Sequence, residues 1–295
     1  MPDRVSHQYV LLYILGSGHC GSTLLDLLLN GHSQVLGLGE IRAMHRYIAL
    51  AKGAGLPSSP GKDWLEVKSH PFDTPLWQKV RECYEATSGR QFDEIDLRFP
   101  RWSKLLRWQE GDIKKWNEPN EALLMCLHKV SGAKVLTDSS KSPHRLYLLR
   151  KAGVYKIKVI HLVRDGRAIV NSYLRKYGDI MVALRRWAGP ALTAFYLKRL
   201  FPERDWLRVR YERLCTDPEG TLKEICSFVR IEFEPQMLAY RSHPYFGIGG
   251  NRMREGSDER IYLDEAWKQQ LSLKHRLTFA LTVGWVNKIY GYGIL

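Results

Sequence analysis

The segment that most constrains the fold is Gly16-Ser17-Gly18-His19-Cys20-Gly21-Ser22-Thr23, which joins an apolar run to a leucine-rich one. Residues 9–15 are continuously apolar, as expected of a strand covered on both faces. Residues 22–30 (STLLDLLLN) read as a helix, with Gly31 at the position after its last turn. A strand, glycine loop and helix in that order aim backbone N–H groups and a helix N-terminus at one anion. The spacing of Gly16 and Gly21 is that of a GxxxxG phosphate loop, and Thr23 fits its Ser/Thr place. Ser22, however, stands where a nucleotide triphosphatase carries lysine. The loop is therefore equipped for a phosphate but lacks the cation that reaches β- and γ-phosphates.

The rest of the chain alternates strand and helix patterns. Strands are expected at 35–39 (ending at Glu40), 133–137, 156–163 and 206–210. Helices are expected at 143–152, 166–176 and 217–229, and from an N-cap at Asn117, with Pro119 in the first turn, to about 130. A further helix over 179–200 should break near Gly189-Pro190. Residues 243–259 read as loop and the tail as helical. This order implies an α/β fold with a central, mainly parallel sheet and helices on both faces. Residues 41–118 hold five tryptophans and no motif. They are expected to form a helical insertion capping the site, within a single domain spanning 1–295.

Charge narrows the partners. Lys plus Arg is 45 against 31 Asp plus Glu, a net charge of +14. Such an excess suits an anionic partner: nucleic acid, a membrane surface or a polyanionic small ligand. The basic residues form no arm and no nucleic-acid motif occurs, so nucleic acid is not the expected partner. No stretch approaches ~20 apolar residues, so no membrane span is expected. The five cysteines are odd in number, scattered and without a CxxC pair, which points to neither a disulfide framework nor a zinc site. They read as small core residues of a protein in a reducing cytoplasm.

Two more segments carry chemistry. In residues 159–172 (VIHLVRDGRAIVNS), Arg164 leaves a strand and Ser172 lies eight residues on, in a helix. Guanidinium and hydroxyl can converge there on a second anion; alternatively Arg164 pairs with Asp165 and Ser172 is a helix surface residue. In residues 137–143 (TDSSKSP), Lys141 falls at the carboxyl edge of the sheet, where open α/β folds bind ligands, or is a solvated loop lysine.

Taken jointly, these segments resemble the sulfotransferases that use 3′-phosphoadenosine 5′-phosphosulfate (PAPS), a family with a P-loop-like, three-layer fold. GSGHCGSTLL is similar to their 5′-phosphosulfate loop, which assigns donor contacts to Gly18, His19, Cys20, Gly21, Ser22 and Thr23. HLVRDGRAIVNS is similar to their 3′-phosphate motif, with Arg164 and Ser172 as its pair. SSKSP resembles a Lys-x-Pro segment. VRYERL resembles a segment whose tyrosine, here Tyr211, lies near adenine. GGNRMR resembles a late basic loop returning to the 3′-phosphate through Arg254. Motif spacing is nearest to the tyrosylprotein and carbohydrate-type branch, which assigns the base to Glu40, acceptor binding to Arg42 and sulfuryl stabilisation to Lys141. Where the family usually has arginine or lysine in the loop, this chain has His19-Cys20. His19 can donate to the bridging oxygen, though its charge depends on pH. The resemblance implies transfer of a sulfuryl group from PAPS to an acceptor hydroxyl of a small molecule or carbohydrate, with PAP as product and no metal. A histidine (His45, His144, His161 or His243) remains the rival base, His161 reading as core, and a P-loop nucleotide kinase, a tyrosylprotein sulfotransferase and an inactive family member are the competing functions. The acceptor and the oligomeric state are not legible in the sequence.

Overall fold

The apolar run at the N-terminus becomes the middle of the sheet. In the computed structural model, which describes residues 9–53, 71–250, 253 and 260–295, β1 (Val10–Leu15) is buried along its whole length. It pairs on one side with β3 (Val135–Lys141) and on the other with β4 (Ile157–Val163). Outside these lie β2 (Val35–Gly37) and β5 (Trp206–Arg210), giving the order β2-β3-β1-β4-β5 with every pairing parallel. Parallel strands need crossovers, and the helices that make them cover both faces.

One face, carrying Leu11, Tyr13 and Leu15, packs under helices from the segment between β2 and β3. These are α2 (Met44–Ala51), α3 (Pro75–Ser88), the short α4 (Trp102–Leu105) and α5 (Glu110–Ser131), joined by α6 (Pro143–Ala152) after β3. Phe72, Trp77, Tyr84 and Phe92 form an edge-to-face aromatic cluster in this layer. The opposite face, with Leu12 and Ile14, packs on α1 (Ser22–Asn30), α7 (Gly166–Tyr177), α8 (Ile180–Leu197), α9 (Tyr211–Thr216) and α10 (Pro218–Val229). The short α11 (Trp267–Gln270) packs against α7, while α12 (Leu273–Thr282) and α13 (Gly284–Ile289) complete the second layer through Phe279, Val286 and Tyr290. The three-layer, P-loop-like α/β architecture expected from the sequence is thus present.

Three expectations, two about helices and one about the cysteines, need correction. The helix expected from Asn117 starts at Glu110, where Gln109 and Asp112 form a reciprocal capping box. Pro119 therefore lies inside it, and the buried face of Trp116, Leu123, Leu124 and Leu127 keeps the helix continuous across the lost N–H. Likewise α8 runs through Pro190, because Leu184, Trp187, Ala188, Ala191 and Ala194 are buried on both sides of it. The third concerns the cysteines: Cys83 on α3 and Cys126 on α5 are disulfide-bonded, with Cα atoms 5.7 Å apart. Their 43-residue separation carries no signal in a sequence; it is the packing of α3 on α5 that brings the thiols together. Cys20, Cys215 and Cys226 are buried and free, as expected of core residues.

Candidate active site

The carboxyl ends of all five strands meet at one edge, and each delivers a candidate residue. The glycine loop follows β1, Glu40 follows β2, Lys141 ends β3, Arg164 follows β4 and Tyr211 follows β5. Backbone geometry singles out the same place. Three non-glycine residues among those described have positive φ, and two of them are His19 (65°) and Lys141 (60°). Such conformations cost roughly 1 kcal/mol or more for residues with a Cβ and persist where surrounding contacts over-determine them.

The loop itself is closed by aromatics. A Cβ on Gly18 would lie 2.2 Å from the Tyr173 hydroxyl, and one on Gly21 (φ +93°) 2.3 Å from the Tyr211 ring. Both glycines are therefore needed for the rings to approach. Ser22 and Cys20 are buried, and Thr23 stands beside Gly250, whose Cβ would be 3.4 Å from its hydroxyl.

Lys141 Nζ donates to Glu40 Oε1 at 2.6 Å. Burial pushes the Glu40 carboxyl up, but Lys141, Arg42 and Arg46 outweigh it and hold the group below the usual carboxylate range. Glu40 is thus an ionised, ion-paired carboxylate at neutral pH. Its backbone is equally fixed, since its N–H donates to Ile248 C=O at 2.5 Å and Ile248 N–H donates to Leu38 C=O at 2.9 Å. Arg42 is exposed one turn further on, and its N–H donates to Ser140 Oγ at 3.2 Å.

Arg164 is nearly buried and fully engaged. Its guanidinium donates to His19 C=O at 3.0 Å and to Asp264 Oδ2 at 2.9 Å, and lies 4.3 Å from the Tyr211 ring centroid. Ser172, the proposed partner, donates to Ala168 C=O of its own helix at 3.0 Å. The structure thus brings Arg164, Tyr211 and the glycine loop together, while the Ser172 hydroxyl is turned back on α7. Arg254 lies outside the described residues.

His19 reports the local field. Burial and the charges of Lys176, Lys141, Arg164 and Arg175 lower its pKa to about 4, so the imidazole is neutral at physiological pH. It stacks edge-on against Tyr173 at 4.7 Å. The rival base His161 is buried in β4, with its pKa lowered to about 3 by burial and Arg208, which leaves it a core residue.

Asp26 was missed by the sequence reading, although one acid in the run STLLDLLLN is a signal. It is fully buried in α1 and accepts from four groups: Thr137 Oγ1, Gly39 N–H (3.0 Å), Ser139 Oγ (3.3 Å) and Tyr245 Oη (2.6 Å). Burial raises its pKa against the pull of those donors. The carboxylate ties together the chain just before Glu40, the β3 segment leading to Lys141, and the loop carrying Ile248.

Five strand ends and a glycine loop at a helix start make this an α/β protein of the P-loop-like class, with Lys141, Arg164, Arg175 and Lys176 gathered around that loop. A family model described as "Sulfotransferase family" matches residues 12–235. The chain belongs to the sulfotransferase family. It is 25% identical over 154 residues to carbohydrate sulfotransferase 5 of Mus musculus, a match covering 43% of this chain and 39% of that protein. The fold is shared with the sulfotransferase domain of the Synechococcus PCC 7002 olefin synthase (TM-score 0.59, 20% identity, 98% of each chain). It is shared also with the sulfotransferase domain from the curacin biosynthetic pathway (TM-score 0.57, 17% identity, 96% of this chain and 98% of that one). Among the described residues no helix is long and apolar enough to cross a membrane.

Proposed function

We propose that the chain transfers a sulfuryl group from PAPS to a hydroxyl of a small-molecule or carbohydrate acceptor, releasing PAP. The observation that carries this is the excess of cations at the glycine loop: Lys141, Arg164, Arg175 and Lys176 act on His19, against the carboxylates Glu40 and Asp264. A doubly anchored polyanion suits that excess. The loop N–H groups, Ser22 and Thr23 would hold the 5′-phosphosulfate. Arg164 would take the 3′-phosphate in place of Asp264, with Ser172 and Arg254 beside it, and Tyr211 would face the adenine.

The chemistry then falls to the Glu40–Lys141 pair. When the donor's sulfuryl oxygens draw the Lys141 ammonium away, Glu40 is left as a free carboxylate beside the acceptor. It accepts the hydroxyl proton as the acceptor oxygen bonds to sulfur. The bond from sulfur to the bridging oxygen breaks, and PAP leaves with that electron pair. Lys141 and the His19 N–H face the charge that develops on the group and on the leaving phosphate. Arg42 would face the acceptor side. This scheme needs no metal.

The acceptor class rests on the carbohydrate named for the mouse relative; a peptide tyrosine is the alternative within the family. The cytoplasmic location read from the sequence is at odds with the Cys83–Cys126 disulfide; the redox state of these cysteines in protein isolated under alkylation decides it, reduced thiols supporting that location and a native disulfide opposing it. For the reaction, purified protein with PAPS and a panel of sugar, alcohol, phenol and tyrosyl-peptide acceptors should release PAP with EDTA present. PAP release that requires Mg²⁺, or ATP turnover in its place, would restore the kinase alternative.

A further inference from the structure

The donor and acceptor reading leaves the C-terminal helices unused. In α12 and α13, Leu273, Leu277, Leu281, Trp285 and Ile289 recur every four residues and are all exposed, Leu281 at 86% and Trp285 at 54%. Residues four apart share a helix face, so Leu273, Leu277 and Leu281 line one side of α12 and Trp285 and Ile289 one side of α13, which follows after Val283. The opposite side of the same element is the one that anchors it: Phe279 is fully buried against Trp187, and Val286 and Tyr290 are buried beyond it. The pair of helices is thus apolar on two sides, and the core accounts for one. Three exposed leucines along α12 followed by two exposed large apolar residues on α13 are more than the scattered ones normal on a soluble surface.

Charge decides what this face suits. After Glu265 the chain contains no Asp or Glu through residue 295, while Lys268, Lys274, Arg276 and Lys288 fall in the same stretch. Lys274 and Lys288 are exposed beside the row. Pairing two copies through this face would appose these ammonium groups with no carboxylate from the segment to neutralise them. An anionic bilayer supplies both needs, an apolar interior for the leucines and phosphates for the lysines, with the indole suited to the interface between them. We propose that α12 and α13 form a peripheral docking surface for anionic lipid membranes, lying in the interface without crossing it. This inference is independent of the sulfotransferase chemistry.

Co-sedimentation of the full chain with sucrose-loaded vesicles tests it. Vesicles of phosphatidylcholine with 30–40% phosphatidylglycerol should retain the protein, and pure phosphatidylcholine should retain at least tenfold less. Retention should weaken as salt rises from roughly 0.05 to 0.5 M. The double variant Leu277→Glu/Leu281→Glu should lower the partition coefficient at least tenfold. Both side chains are exposed, so its thermal midpoint and its binding of PAP should match the parent chain. Lys274→Gln/Lys288→Gln should reduce binding to the anionic vesicles alone. Retention that is absent, that is equal on neutral vesicles, or that survives the leucine variant would overturn the proposal. So would a parent dimer in light scattering that the leucine variant converts to monomer, which would assign the face to a second copy.

Discussion

Replacing Asp26 by alanine removes the acceptor shared by four donors, and the structure sets what that should cost. The Gly39 N–H is fixed in the backbone and buried, so losing its partner carries the full penalty of an unsatisfied donor, about 1–3 kcal/mol. Thr137 and Ser139 are buried but their hydroxyls can rotate, while the half-buried Tyr245 can turn to water, so these three together add ~1–2 kcal/mol. Against this stands the relief of no longer burying a carboxyl whose pKa burial has raised. The net expectation is ~3 kcal/mol of lost stability, a fall in Tm of about 5 °C for a chain of this size. Asp26→Asn keeps one carbonyl oxygen for Gly39, and should cost about half as much. Since Gly39 precedes Glu40 and Ser139 precedes Lys141, the surviving folded enzyme should lose kcat while PAP affinity stays close to the parent value. Scanning calorimetry gives the first quantity; titration with PAP and single-turnover transfer give the second. An unchanged Tm for Asp26→Ala, or a loss of PAP affinity with kcat intact, would refute the role of this carboxylate as the anchor of the Glu40–Lys141 pair.

Glu40→Gln should lower kcat by roughly 10²–10⁴-fold with PAP affinity little changed, as single-turnover rates at saturating donor will show; near-normal chemistry, with loss instead in His19→Ala or His45→Ala, would move the base to a histidine. Arg164→Ala should weaken PAPS far more than adenosine 5′-phosphosulfate, which lacks the 3′-phosphate, and equal loss for both would remove the 3′-phosphate assignment. Gly21→Ala places a Cβ 2.3 Å from the Tyr211 ring at φ +93° and should destabilise by more than about 2 kcal/mol in a denaturant melt. Reducing the Cys83–Cys126 bridge releases a 43-residue separation and should cost up to about 4 kcal/mol, read as Tm with and without dithiothreitol. His19 has its pKa depressed to about 4 from 6.5, so the unfolded chain binds the proton first and acidification from pH 6.5 to 4 should remove up to about 3 kcal/mol of stability in pH-dependent melts.

The parts of the fold that were legible in the sequence are those whose signal is local. A seven-residue apolar run ending at glycine gives β1, and α1 begins and ends at Ser22 and Asn30 as its leucine pattern and glycines require. The features that escaped depend on contacts across the fold. Pro119 and Pro190 suggested helix ends, yet both lie in helices whose buried faces outweigh one lost hydrogen bond. Strand β3 was expected to stop at Thr137 but runs on to Lys141, because Ser139 and Ser140 are buried at the sheet edge and have partners there in Asp26 and Arg42. Glu40, Lys141, Arg164 and Tyr211 stand out in the sequence because each lies at or just after a strand end. Their partners were not: Asp264 on Arg164 and Ile248 on Glu40 come from distant loops.

His19 shows how geometry limits what a loop residue can contribute. Where an arginine or lysine would bring a fixed positive charge, this imidazole is kept neutral by burial and by the cations around it. The same cations have Asp264 as a counter-charge at Arg164 and Glu40 at Lys141. An entering polyanion competes with both carboxylates at once. As it does so, the field that suppresses protonation of His19 weakens, and the imidazole pKa rises toward its ordinary value. Donor binding near pH 5 should therefore take up a proton, and the calorimetric heat of PAP binding should vary with the ionisation enthalpy of the buffer. Binding heats independent of buffer at that pH would mean that the anion does not settle against His19, and that the charge on the leaving phosphate is met by Lys141 and the loop amides without it.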